Sequence, residues 1–125
     1  MKTKASNRVT GKKGERLAES YLRTQGYKII SRNVRSPFGE IDLIAKHKKM
    51  LVFIEVKARQ NRDFGLPEES ITEEKKRRLA RLANWYLAGL NQDVQTRFDV
   101  LAIELTEPEP KIRLIQNAFD VPTWH

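Results

Sequence analysis

Two apolar segments of strand length, joined by a short basic connection, constrain the fold of this 125-residue chain more than any other feature. Residues 40–45 and 51–58 are rich in β-branched and apolar side chains, and residues 46–50 between them include three lysines. Two such runs with a short polar connection are typical of a β-hairpin. A third strand-length segment, 27–35, precedes them, and residues 36–39 carry the Pro and Gly of a turn. The sequence therefore predicts a three-stranded meander.

Amphipathic helices are predicted on both sides of the meander. Apolar residues recur with a period of about 3.6 residues from 13 to 25, and Gly26 is placed to end this helix in the left-handed conformation. The second helix is predicted to begin with a capping box of Ser70 and Glu73 and to end near Gly89.

Two further strands, 98–105 and 111–116, follow the second helix, which itself follows a predicted mobile loop at 60–69. The order α-β-β-β-α-β-β predicts an α/β fold with a central mixed β-sheet flanked by helices, because the strand after the second helix is reached by a crossover. We expect residues 1–12 to form a flexible basic N-terminal arm and residues 13–125 to form a single domain.

Basic residues are concentrated in the first part of the sequence. The chain carries 24 Lys and Arg against 16 Asp and Glu, and its first 35 residues hold ten of the basic and two of the acidic side chains, while the remainder is balanced. Such asymmetry indicates a polyanionic partner, either nucleic acid or an anionic membrane surface. A solvated segment that only aids solubility is the alternative that charge leaves open.

The composition excludes several kinds of site and suggests a compartment. The chain has no cysteine, which excludes disulfides, thiolate nucleophiles and Cys-ligated zinc. Met1 is followed by lysines rather than by an apolar stretch, and the longest apolar run is residues 50–54. We therefore expect a cytoplasmic protein without signal peptide, membrane association or organic cofactor.

Charged side chains are interleaved with apolar ones in the predicted hairpin. Glu40 and Asp42 share one face of the first strand, and Glu55 and Lys57 share one face of the second. With the turn centred at residues 48–49, Asp42 lies opposite Glu55 and Glu40 lies opposite Lys57, with Cβ atoms about 5 Å apart. Adjacent carboxylates resist joint ionisation unless a cation lies between them, so Asp42 and Glu55 make a partial shell for a hard divalent ion such as Mg²⁺.

The same alternation predicts that Ile41, Leu43 and Ala45 share the opposite face of their strand. By spacing alone, the charged residues equally fit an ordinary ion-pair cluster on a solvated sheet face. Residues 51–54 are almost continuously apolar, which favours an interior strand, where polar side chains are costly unless they serve a purpose. His47 lies in the predicted basic turn, where we expect it to be exposed to solvent.

Asp42, followed by Glu55-Val56-Lys57 on the next strand of an α-β-β-β-α-β order, resembles the PD-(D/E)XK nucleases with the restriction-endonuclease-like fold. More narrowly, several motifs resemble the YraN family of predicted endonuclease-like proteins, itself similar to archaeal Holliday junction resolvases. These motifs are Gly14-Glu15, Gly26-Tyr27, Arg32-Asn33 and residues 39–45, 52–59 and 97–100. The match extends from about Gly14 to Phe119. The proline that gives the superfamily its name is replaced by Ile41, which leaves the aspartate in register.

The resemblance implies a metal-dependent endonuclease that hydrolyses DNA phosphodiester bonds, with branched or junction DNA as a family-level expectation. Asp42 and Glu55 would bind Mg²⁺ or Mn²⁺, Lys57 would be the catalytic lysine, and Glu15 would be the helix acid that reaches the same metal. Without the resemblance, we interpret Glu15 as an acid in the first turn of the first helix, where its charge interacts favourably with the helix dipole.

Glu40 and Arg59 are predicted to assist this site. Glu40 belongs to the Glu-Ile-Asp triplet of the family, and it either helps with the metal or pairs with Lys57 or Arg59. Phosphate contacts are expected from a set of basic residues: Lys12, Lys13, Arg16, Arg32, Arg35, Lys75 and Arg78.

Two other classes of function remain open from the sequence. One is a nucleic-acid-binding protein that retains the nuclease fold without catalysis, and the other is a basic protein at a membrane surface, for which a basic amphipathic helix with exposed aromatics is lacking. A nuclease that acts on symmetric junctions is expected to work as a homodimer, since most soluble homo-oligomers have two-fold symmetry.

Overall fold

A computed structural model describes residues 4–60, 65–90 and 93–120; for residues 4–11, Pro67 and Ser70 it describes the backbone alone. Along the chain the elements are α1 (Lys4–Thr24), β1 (Lys28–Ser36), β2 (Gly39–His47), β3 (Met50–Arg59), a 3₁₀ turn (Pro67–Ser70), α2 (Glu73–Ala88), β4 (Thr96–Glu104) and β5 (Lys111–Ile115). The strands form one sheet in the order β1-β2-β3-β4-β5. Only β3 and β4 are parallel, and the other neighbours are antiparallel. The predicted α/β class, element order and mixed sheet are confirmed, an arrangement consistent with the restriction-endonuclease-like fold.

Each face of the sheet is covered by one helix, and each carries its own apolar cluster. On the α1 face, Ala18 and Leu22 pack with the strand residues Leu43, Ala45, Val52, Ile54, Leu101 and Ile103. On the α2 face, Leu79, Leu82 and Ala83 pack with Ile41, Ile44, Leu51, Phe53 and Phe98. Because both faces are buried, the central strands are nearly continuous in apolar residues. No helix in the described parts of the chain is long and apolar enough to cross a membrane.

The first helix begins earlier than the apolar pattern predicts. It begins at Lys4 rather than near Lys13, so residues 4–12, predicted as a flexible arm, are helical. Extending an existing helix carries no nucleation cost, so α1 can begin before its apolar stripe does. The prediction for residues 1–3 lies outside the described residues.

The predicted end of α1 is confirmed. Gly26 has φ +87°, its N–H donates to the Arg23 carbonyl, and the Tyr27 N–H donates to the Leu22 carbonyl. This pair of bonds is a Schellman motif, which satisfies carbonyls left free at the helix end.

The predicted capping box of α2 is wrong. Thr72 caps the helix, because its extended backbone lets the side-chain oxygen accept from the Lys75 N–H at 3.1 Å. Residues 67–70 form a 3₁₀ turn of their own, with proline at its first position, so Ser70 ends that turn instead of starting the helix.

Helix α1 approaches the sheet closely at Gly14. A Cβ atom built on Gly14 would lie 2.7 Å from the Cβ of Ala58 on β3, a distance that requires something to move. We expect Gly14→Ala to destabilise the protein by about 1–3 kcal/mol through overpacking, although alanine is the better helix former. Urea denaturation followed by circular dichroism measures the change.

A matched pair of variants isolates this contact. Ala58→Gly removes the opposing methyl group, so the Gly14→Ala/Ala58→Gly double variant is expected to show a favourable coupling of about 1 kcal/mol or more. Gly89→Ala is the control, because Gly89 has an ordinary φ of −80° and its nearest atom lies at 3.5 Å. Strictly additive effects of Gly14→Ala and Ala58→Gly would contradict the close approach.

A buried polar network closes the end of the sheet where β3 and β4 begin. The Asp99 carboxylate accepts from the Tyr27 hydroxyl at 2.6 Å and from two nitrogens of Arg97 at 2.8 and 2.9 Å. Arg97 also donates to Nδ1 of His47 at 2.9 Å, and the His47 ring stacks on Tyr27. His47 is only 6% exposed. The expectation of a solvent-exposed His47 is therefore wrong, because the residue ends β2 beneath Arg97 and lies outside the turn.

This environment makes stability depend on His47. Burial and the charge of Arg97 lower the pKa of His47 below its ordinary value, so the unfolded chain binds a proton on this ring more readily than the folded protein. Stability is thus expected to fall as the pH drops through about 6.5, by at most about 1.4 kcal/mol per pH unit. Urea midpoints of the wild type and His47→Phe between about pH 7.5 and 5.5 test this. Parallel pH profiles of the two proteins would contradict it.

Candidate active site

The site begins where β2 and β3 separate. Their pairing runs from His47↔Met50 to Leu43↔Ile54, the predicted register, so Asp42 and Glu55 are the next residues on the two strands. At that point the Val56 N–H donates to Oδ2 of Asp42 at 2.8 Å instead of to a strand carbonyl. The Asp42 carboxylate is thereby fixed at the opening between the strands.

The predicted pairing of Glu40 with Lys57 is not what the structure has. Because β2 has left β3 by this point, Glu40 lies opposite Arg35 of β1, and its carboxylate is 3.9 Å from the Arg35 guanidinium. Glu40 is exposed to solvent.

A change of face at Asp42 also overturns the predicted alternation. Ile41 belongs to the apolar cluster on the α2 face, whereas Leu43 belongs to the cluster on the α1 face. Asn33, which lies between the two β1 residues paired with Leu43 and Ile41, has φ +51°. Asparagine tolerates this left-handed conformation better than most residues, and the twist that it gives β1 lies at the same step as the change of face on β2. The twist turns Asp42 toward the gap between the strands.

One carboxylate oxygen of Glu55 lies in an environment that is rare for a buried polar atom. The residue is 7% exposed, and its Oε2 has no hydrogen-bond partner among the residues that the structure describes. Lys75, in the first turn of α2, places its Nζ 3.5 Å from this oxygen. A buried carboxylate oxygen without a hydrogen bond is costly, so its presence here requires a physical reason.

Asp42, Glu55, Lys57 and Lys75 form one electrostatic unit, which we call the acid–lysine cluster. Burial and the neighbouring Asp42 raise the pKa of Glu55 to about 8. Burial and the nearby Lys75 lower the pKa of Lys57 to about 8. The two shifts have opposite directions because the site is too poorly solvated to keep every group ionised. Perturbed groups of this kind concentrate at functional sites.

Glu15 lies next to this cluster without completing it. Burial and then the Asp42 carboxylate raise the pKa of Glu15, which places the two acids within electrostatic reach of each other. No group of three or more His, Asp or Glu side chains is arranged to hold a metal among the described residues. The role of Glu15 at the metal therefore stays a prediction.

Two carboxylates nevertheless fit a magnesium ion. Mg²⁺ is commonly held by one or two carboxylates, with waters and substrate phosphates at its remaining positions. The pKa of Glu55 is raised by burial and by the neighbouring Asp42, and a cation bound between the two carboxylates would offset both effects. Asp42 and Glu55 are thus the residues that would hold the ion.

The other predicted residues are spread around this centre. Arg59, at the end of β3, is half-buried and lies opposite Glu104 of β4. Arg32 is bound by the Glu19 carboxylate of α1, with nitrogen–oxygen distances of 2.7–2.9 Å. The remaining basic side chains are exposed at the surface: Lys12, Lys13, Arg16, Arg35 and Arg78.

Two features of the site could not be read from the sequence. Lys75 was predicted as a phosphate contact, but its ion pair with Glu55 was not predicted. That ion pair depends on how α2 packs against the sheet. The twist at Asn33 had one local signal, an asparagine inside a strand-length segment, because asparagine adopts positive φ more readily than most residues.

Comparison with known proteins places this chain in a family. The model of uncharacterised protein family UPF0102 matches residues 14–103, a range that contains Glu15 and the acid–lysine cluster. A UPF0102 protein of Symbiobacterium thermophilum is 50% identical over 118 residues, which cover 90% of this chain and 98% of that protein. A UPF0102 protein of Syntrophotalea carbinolica is 45% identical over 115 residues, which cover 91% of this chain and 94% of that protein. The resemblance to the YraN family is thereby confirmed, and the chain belongs to uncharacterised protein family UPF0102.

Proposed function

We propose that this protein is a metal-dependent nuclease that hydrolyses phosphodiester bonds in DNA. The observation that carries the proposal is the buried Oε2 of Glu55, which accepts no hydrogen bond from any described residue and lies beside Asp42 and 3.5 Å from Lys75. Apart from its ion pair with Lys75 this oxygen has no hydrogen bond among the described residues, and a buried carboxylate oxygen without one is costly in a purely structural cluster.

Each residue of the cluster has a task in this chemistry. Asp42 and Glu55 would hold the divalent ion, which when bound lowers the pKa of water and neutralises charge on the phosphate. Lys57, whose pKa is lowered to about 8, is a neutral amine more often than an ordinary lysine, and in that form it holds the attacking water by a hydrogen bond and takes up its proton. Lys75 offsets the negative charge of the phosphate and of the departing oxygen.

The exposed basic surface of α1 supports DNA as the substrate. Lys12, Lys13 and Arg16 line a shallow concavity together with Leu17. Lys12 and Asp42 both influence the pKa of Glu15, in opposite directions, so this surface adjoins the acid–lysine cluster. Phosphates bound there would lead a DNA strand toward the cluster.

A cleavage assay tests the proposal directly. Labelled linear DNA and a four-way junction are incubated with the protein in Mg²⁺, in Mn²⁺ and in EDTA. We expect cleavage in either metal and none in EDTA, and faster cleavage of the junction would support the family-level expectation of branched substrates. Undiminished cleavage in EDTA, or none with any divalent metal, would overturn the proposal.

Metal binding is also expected to stabilise the protein without DNA present. A ligand at a hundredfold excess over its Kd adds about 2.7 kcal/mol to the free energy of unfolding. Mg²⁺ or Mn²⁺ should therefore raise Tm for the wild type and leave Tm unchanged for Glu55→Gln. Glu74→Gln, which alters an exposed acid at the start of the same helix that carries Lys75, is the matched control and should keep the full shift. An equal rise in all three proteins would indicate non-specific metal binding.

A non-catalytic nucleic-acid-binding protein is the second candidate, favoured by the same exposed basic surface on α1. It predicts DNA affinity that falls steeply with salt, since phosphate contacts release counterions. It also predicts no heat of Mg²⁺ binding in calorimetry. A heat of binding that Asp42→Asn abolishes would decide for the nuclease.

A further inference from the structure

An open pocket lies beside the acid–lysine cluster, between the β1–β2 turn and α2. Its volume is about 170 Å³, and its lining includes Phe38, Glu40, Lys75, Arg78, Leu79 and Leu82. Lys75 belongs both to this pocket and to the cluster, where it approaches Glu55. A group bound in the pocket is therefore one side chain away from the proposed reaction centre.

Phe38 is presented to this pocket by a rigid turn. The Phe38 N–H donates to the Ser36 hydroxyl at 3.1 Å, and that hydroxyl donates to the Gly39 carbonyl at 3.0 Å. Gly39 has φ +131°, a conformation that a residue with a side chain rarely adopts. The Phe38 ring is 40% exposed at the tip of this turn. An exposed aromatic ring on a fixed backbone offers a flat face at little entropic cost.

The rest of the lining combines an apolar floor with positive charge. Leu79 and Leu82 are almost fully buried beneath the pocket, and Lys75 and Arg78 stand on the same helix at its rim. Glu40 is the acid of the lining, and the Arg35 guanidinium lies 3.9 Å from its carboxylate. Flat apolar surface beside ammonium and guanidinium groups is the combination that binds a nucleobase together with its phosphate.

We propose that this pocket, the Phe38 pocket, binds an unpaired nucleobase of single-stranded DNA. The inference rests on the proposed function, because that function places the reacting phosphate at the acid–lysine cluster. Lys75 would then contact both this phosphate and the base bound in the neighbouring pocket. A base inside a duplex is already stacked on both sides, so only an unpaired base can lie against Phe38. Phe38 would then determine specificity for strands that are single or unpaired at the cut.

Binding measurements in EDTA test the pocket separately from cleavage. Fluorescence anisotropy gives the affinity of the wild type, Phe38→Ala, Phe38→Trp and Trp85→Ala for a labelled single strand and for its duplex. Loss of one stacked base weakens binding by about 5- to 100-fold. We expect this loss for Phe38→Ala with the single strand alone, while Phe38→Trp retains affinity. Trp85, 44% exposed on the same helix as Arg78 but outside the pocket, is the matched control and should be silent.

A second variable identifies the base itself. Abasic positions are scanned along the single strand, and one position is expected to weaken wild-type binding while leaving Phe38→Ala unaffected. Unchanged single-strand affinity of Phe38→Ala, or an equal loss with the duplex, would overturn the inference. Because no metal is present, these outcomes are independent of the cleavage assay, so failure of the pocket and failure of the nuclease proposal are distinguished.

Discussion

Asp42→Asn is expected to lower the rate of DNA cleavage at least about 100-fold. The substitution preserves the shape of the side chain and an oxygen that can accept from the Val56 N–H, so the opening between β2 and β3 should persist. It removes the negative charge that, with Glu55, would hold the metal. Glu55→Gln should have an effect of similar size, because it replaces the unpartnered oxygen of the buried acid.

Cleavage rates under single-turnover conditions, with the thermal stability of each variant alongside, make the comparison. Asp93→Asn is the matched control for Asp42→Asn, since Asp93 is exposed ahead of β4 and should leave the rate unchanged. The double variant of Asp42 and Glu55 should be little worse than either single one, because groups that act as a unit are not additive. Cleavage that survives Asp42→Asn in a folded protein would remove this site from the reaction.

Asp99→Ala is expected to destabilise the protein by about 3–5 kcal/mol. Asp99 is 1% exposed and accepts from Tyr27, from Arg97 and from the Asn117 N–H at 3.0 Å. Truncation leaves the guanidinium of Arg97, whose side chain is 11% exposed, without its carboxylate. A buried charge without a partner costs far more than the net contribution of the pair.

Urea denaturation at neutral pH provides the measurement, with the midpoint and the slope both recorded. Arg23→Ala is the control, because Arg23 forms an exposed ion pair with Glu19 one helical turn away and should cost less than about 1 kcal/mol. A loss for Asp99→Ala no larger than that of Arg23→Ala would mean that water or rearrangement compensates for the missing carboxylate.

Local patterns accounted for most of the fold and for the core of the candidate site. The hairpin register that brings Asp42 beside Glu55 follows from the length of the turn and the alternation of the flanking strands. The end of α1 follows from one glycine with positive φ. The family motifs around Asp42 and Glu55-Val56-Lys57 lie within the matched range of UPF0102.

Other features of the structure could not be predicted from local patterns, because they depend on contacts between residues that are distant in sequence. The alternation rule assumes a flat, regular strand, so it predicted that the side chains of Ile41 and Leu43 lie on the same face of the sheet. In the structure they lie on opposite faces, at the step of the twist at Asn33. The burial of His47 results from contact with Tyr27 and Arg97, which no local pattern of the turn records.

The sequence by itself determined which residues carry charge, which strands are interior and which two acids are neighbours, since these depend on composition and on a period of about two residues. Only the tertiary structure decided how far Asp42 and Glu55 are shielded from water. Packing α2 against the sheet buries Glu55, brings Lys75 to 3.5 Å and moves the pKa values of Glu55 and Lys57 toward each other. Desolvation is a property of everything that surrounds a group, so the pKa shifts of Glu55 and Lys57 depend on the packing around their strand and not on the strand alone.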